Sequence, residues 1–200
     1  MWTHALRLLR PVALFGFFTC VSCSATRTSM TQVWQAPAAF APMKRVLVLG
    51  ARLDEATRRV LEDGFAAELA RHGVFALRSY ELFPGELPER EKARPIIEER
   101  GFEGILVATL KNVGTMETVI SATRPNRFWS SGAAWGYQGY VVTEPIVNFE
   151  TTLWDARHED TLGFAALTKT ASPSSDREFV KSLAETVVNA IADAKLVPKK

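Results

Sequence analysis

Cysteine disappears from this chain after residue 23. The only two, Cys20 and Cys23, stand near the N-terminus, so a disulfide framework in the body of the protein is excluded. A CxxC spacing also suits a redox pair or half of a zinc site. A redox pair needs a strand running into a helix around its thiols, and tetrahedral zinc needs two further ligands. Neither setting is present, and His4, His72 and His158, the only histidines, are too scattered to complete a site. Excess charge is lacking too. The 24 Lys and Arg exceed the 22 Asp and Glu by two, and two of the arginines, Arg7 and Arg10, belong to the leader described next. Without them the chain is formally neutral, which argues against a nucleic-acid partner, since that binding rests on clustered cations releasing counterions from phosphates. No apolar run reaches the roughly 20 residues that span a bilayer as a helix.

The leader itself is informative. Residues 1–10 carry two arginines and no acid, residues 11–21 are mostly apolar, and Ser22 and Cys23 precede a stretch rich in Ser and Thr. That is the layout of a secretory signal peptide. It resembles the bacterial lipobox, in which a small residue precedes the cysteine that is acylated and becomes the mature N-terminus. The resemblance implies a signal peptide over 1–22, cleavage before Cys23, and palmitate and the other acyl chains of a lipoprotein on Cys23. Cys20 is the competing acceptor, but Phe17 and Thr19 suit its flanks less well than Ser22 suits Cys23. Acylation also removes the oxidation liability of a lone exported thiol. At about 0.8 kcal/mol per buried CH₂, such an anchor is effectively permanent. Ser24 after the cysteine resembles the pattern sorted to the outer membrane.

Residues 23–43 are small and polar with two prolines and no acid, the composition of a tether, except for Val33-Trp34, which suit a short edge strand packed on the domain. A single domain follows over 44–200. Residues 44–50 are a β-branched apolar run closed by Gly50, a buried strand. Over 54–72 the residues Leu61, Phe65 and Leu69 recur every four positions and Gly73 supplies a stop, which predicts a helix. Residues 74–80 read as a second strand, 88–100 as a helix weakened by Pro95, and 105–110 as a third strand. This βαβαβ order implies parallel neighbours. Residues 116–123, 146–155 and 164–170 then read as an antiparallel meander. A last helix opens on the capping box Ser175-Asp-Arg-Glu178 and presents Val180, Leu183, Val187 and Ile191 on one face. The expected fold class is α/β (α+β), with one mixed sheet and helices packed on it.

Between the first two meander strands, residues 124–140 hold Phe128, Trp129, Trp135, Tyr137 and Tyr140 among three glycines. Long loops of this kind tend to be functional, and these residue types dominate binding hot spots, so the five aromatics are the candidate partner-binding residues. The alternative is that the rings fold back to cap the sheet. Catalytic patterns are weak. Gly50 is followed by Arg52 and Glu55 where a dinucleotide-binding turn needs glycines. His158-Glu159-Asp160 are consecutive in a predicted turn, and no G-x-S-x-G is present. Glu117 and Glu144 could form a carboxylate pair on a sugar.

The element order resembles that of small bacterial envelope lipoproteins, on the residues 44–50, 101–107 and Leu153-Trp-Asp-Ala156. The domain is similar to the N-terminal domain of TolB, to the lipoprotein activator of penicillin-binding proteins and to the core of the curli secretion channel. These motifs carry fold and compartment with no chemistry in them. They imply a periplasmic binding or adaptor protein without catalytic residues, metal or cofactor, anchored by Cys23 on the periplasmic face of the outer membrane. Its partners are the membrane and an envelope protein or a second copy. A cell-wall glycan protein and an export-assembly subunit are the other readings.

Overall fold

The computed structural model describes residues 26–37, 40–85, 88–120, 140–158, 161–171, 173 and 175–199. In chain order the elements are β1 (Arg27–Gln35), β2 (Arg45–Ala51), α1 (Glu55–Arg71), β3 (Phe75–Arg78), α2 (Ser79–Leu82), α3 (Arg90–Glu99), β4 (Gly104–Ile120), β5 (Tyr140–Asp155), β6 (Thr161–Ala171) and α4 (Asp176–Asp193). The strands form one six-stranded mixed sheet in the order β1-β6-β5-β4-β2-β3. β2 is parallel to β3 and β4, and the pairs β4–β5, β5–β6 and β1–β6 are antiparallel. The parallel half followed by an antiparallel meander and a C-terminal helix is therefore the fold.

One sheet face carries α1 and α4. Leu61, Phe65 and Leu69 of α1 and Val180, Leu183, Val187 and Ile191 of α4 are buried there against Val46, Val48, Leu106, Leu153 and Phe164. The helices meet where α1 has no side chain: a Cβ on Gly64 would stand 2.1 Å from Val180 Cγ1. Their starts are capped, Asp54 accepting from Thr57 N–H and Ser175 from Glu178 N–H. On the other face α3 covers only the parallel half, where Leu47, Phe83, Ile97 and Phe102 form a second, smaller cluster.

Three segments differ from the sequence reading. β4 is one strand of 17 residues, continued across an irregularity between Leu110 and Asn112, where the sequence suggests two strands. The polar residues Lys111 and Asn112 are tolerated because this stretch pairs with β5 without lying in the core. β1 takes up Arg27–Gln35, most of which the composition assigns to a tether. Backbone pairing to β6 holds it, with the Thr28 and Thr170 hydroxyls 2.8 Å apart and Thr28 N–H donating to Ser182 Oγ at 3.1 Å. Val33 and Trp34 lie in this edge strand, as the sequence suggests, with their side chains about half exposed. β3 stops at Arg78, because the Ser79 hydroxyl and the Tyr80 N–H bond to Glu62 and turn the chain into α2.

Candidate functional site

Past Ile146 the β5 strand loses β6, whose pairing ends at Ala171, and past Ala51 β2 no longer accompanies β4. From Gly114↔Ile146 to Ile120↔Tyr140 the two strands therefore continue as a ribbon beyond the sheet. At about 3.3 Å per residue its described rungs span about 20 Å. Pro145 is accommodated here because no bond to β6 is lost. Val113 and Val141 stand on the ribbon face continuous with the helix-covered side of the sheet, and both are exposed.

At the root of the ribbon, where α1 and α4 begin, lies a groove of about 410 Å³. Its floor is apolar, with Leu61, Phe149 and Phe179, the two phenylalanine rings 5.6 Å apart. Val113 and Val147, paired with each other just before the ribbon begins, form one wall. The rim is polar. Arg52 turns the chain from β2 toward α1 with φ 59°, and Asp54 and Asp176 stand at the two helix starts. Hydrogen bonds from the Thr57 hydroxyl and N–H hold the Asp54 carboxyl below its ordinary pKa, so it is ionised at neutral pH. Apolar floor and charged rim together suit an inserted apolar side chain. A second concavity of about 500 Å³ runs along the seam between α1 and α4, where Glu68 and Arg71 of its lining are already paired with each other.

A buried polar network behind the groove is not foreseen from the sequence. Glu62, without exposed surface, accepts from Gly50 N–H, Arg58 Nε, Ser79 Oγ and Tyr80 N–H. Arg58, also buried, donates further to the carbonyls of Phe83 and Gly85. The network ties α1 to the ends of β2 and β3, and complete burial keeps the Glu62 carboxylate from a substrate. At the opposite end of the sheet, buried Asp155 accepts from Arg157 N–H at 2.8 Å and from its Nη2 at 2.8 Å, and His158 Nδ1 lies 3.3 Å away. Burial pushes the Asp155 carboxyl up, but the bonds from Arg157 and His158 outweigh it and hold the pKa below the ordinary value.

Of the residues singled out from sequence, Cys23, Phe128, Trp129, Trp135 and Tyr137 lie outside the described residues. Tyr140 opens β5 opposite Ile120, so it belongs to the ribbon and not to a loop. The carboxylate pair is not assembled. Glu144 sits opposite Met116 and Glu117 opposite Thr143, and alternation along a strand then sends the two to opposite faces. Among the described residues no three His, Cys, Asp or Glu side chains cluster as metal ligands.

No protein-family model matches this sequence, and no curated protein matches it. Among solved structures it is similar to the PelC dodecamer from Paraburkholderia phytofirmans, at 14% identity and a TM-score of 0.47, covering 86% of this chain and 99% of that one. It is similar to a lipoprotein from Neisseria meningitidis at 16% identity and TM-score 0.42, over 74% of this chain and 98% of that one. TolB from Acinetobacter baumannii matches at 12% identity and TM-score 0.40, over 84% of this chain and 31% of its own. Likenesses at this level carry no inference about function.

Proposed function

We propose that the protein is a bacterial envelope lipoprotein held by acyl chains on Cys23, acting as a non-enzymatic binding or adaptor module on the periplasmic face of the outer membrane. Its partner surface is the ribbon root with the groove beside it, and the aromatic residues Phe128, Trp129, Trp135, Tyr137 and Tyr140 are the further candidates for partner contact that the sequence supplies. The observation that carries this reading is Val113, 66% exposed at the wall of a groove whose floor is apolar. Exposed apolar residues next to an unfilled apolar concavity are the usual mark of an interaction site.

A photo-crosslinking side chain at Val113, tested in intact membranes, should capture a protein band that the same side chain at His158, on the opposite end of the sheet, does not. Val113→Asp should abolish that capture. Because the site is exposed, the variant should shift stability by no more than about 0.5 kcal/mol. Equal capture from both positions, or none from Val113, would remove the groove as a partner surface.

A further inference from the structure

We propose that the partner element this surface takes is an acidic amphipathic helix of another envelope protein, lying along the seam between α1 and α4 with one apolar side chain in the groove. This rests on the groove's being a partner surface and goes beyond it by naming what docks. The two concavities are one channel, since Val60, Asp176 and Val180 line both. Val60 at their junction is exposed, as Val113 is at the groove wall. From Val60 the seam follows α1 to Arg71, about 16 Å or three helical turns. Its floor is low and apolar, with Gly64, Ala67 and Ala184 between the two helices. A channel of this length fits the i, i+3, i+4, i+7 stripe of a docked amphipathic helix. The walls select against an extended segment. Both are helices whose backbone N–H and C=O groups bond within their own turns, so a strand laid between them would find no ladder to join. A helix brings its own hydrogen bonds.

The charges along the seam give the sign of the partner. Two of the lining carboxylates are already engaged, Asp63 with Arg78 and Glu68 with Arg71. Arg177 and Lys181, one turn apart on the α4 wall, have no ion-pair partner among the described residues. Arg177 stands in the first turn of α4, at the positive end of its dipole, where a cation is disfavoured unless a carboxylate pairs with it. The groove mouth, by contrast, is mixed, Arg52 standing there with Asp54 and Asp176. Carboxylates four apart on one flank of the docked helix therefore face Arg177 and Lys181, while its apolar stripe covers Val60.

The test places a photo-crosslinking side chain at Val113, Val60 or Ala67 of the full chain in intact membranes and maps by mass spectrometry the partner residue that each one marks. All three should mark one segment of one other protein. Val60 and Ala67 stand seven residues apart on α1, about 10 Å, so their marks should fall about seven residues apart in a helix, against about three in an extended chain. The segment should carry Asp or Glu four apart on one flank. Arg71, eleven residues from Val60, supplies the reading if the Ala67 variant fails to fold, with its mark about eleven residues away. Arg177→Glu with Lys181→Glu should cut the yield from Ala67 about tenfold or more, and Arg177→Lys with Lys181→Arg should keep it. Marks from Val113 alone, marks about three apart, a segment without acids, marks on a second copy of this chain, or a yield indifferent to charge reversal would overturn the acidic helix and leave the groove as a partner surface. No capture from Val113 would overturn both.

Discussion

Glu62 is the centre of the buried polar network behind the groove. It is buried with Arg58 and takes hydrogen bonds from three separate elements. Removing one partner of such a pair leaves a charge with no solvent and no counterion, so Glu62→Ala should cost about 3 to 5 kcal/mol, read as a fall in the denaturant midpoint. A cost below about 1 kcal/mol would show that water reaches Arg58. The pair was hidden in the sequence because oppositely charged residues four apart normally read as a solvated helix face. A signal was there: positions 58, 62, 65 and 69 fall on one helical stripe, so Arg58 and Glu62 share the face of Phe65 and Leu69. Asp155 adds a pH dependence. Its folded pKa is depressed, so its contribution is complete above the unfolded value near 3.8 and is lost as pH falls through the lower folded value. Asp155→Asn should lower stability by about 1 to 3 kcal/mol at neutral pH and flatten the acid limb of the stability curve below about pH 4. An unchanged acid limb would assign that limb to other carboxylates.

Among the elements, α1 and α4 approach each other through Gly64. Alanine there would gain about 1 kcal/mol of helix propensity, but its Cβ would stand 2.1 Å from Val180 Cγ1. Overpacking of this kind costs about 1 to 3 kcal/mol, so the clash wins and Gly64→Ala should lower the melting temperature. Val180→Ala in the same chain should restore part of the loss, and failure to do so would place the strain elsewhere. The helices were legible because their apolar spacing and caps coincide: Leu61, Phe65 and Leu69 behind Asp54, and Val180 to Ile191 behind Ser175. The strands outside the core were not. Lys111 to Thr115 in β4 and Thr28 to Gln32 in β1 carry no alternating apolar face, since backbone pairing holds them and only Met30 among them packs on the core. The extent of the ribbon, and with it the groove at its root, was invisible for the same reason.

At the scale of the whole molecule, the row Arg27, Ala171, Ile146 and Gly114 sets the arrangement. It brings the N-terminal end of β1, the ribbon and the groove to one end of the sheet and leaves the Asp155 to His158 turn at the other. The lipobox-like leader was readable from composition alone, whereas this polarity required strand register, which no spacing in the sequence reveals. The proposed place of the protein in the envelope follows from where the chain is fixed, and labelling with an alkyne fatty acid in growing cells tests that most directly. Acylation at Cys23 predicts label on the natural protein and on Cys20→Ser, and none on Cys23→Ser, which should stay unprocessed or leave the membrane fraction. Label persisting on Cys23→Ser, or lost from Cys20→Ser, would contradict it.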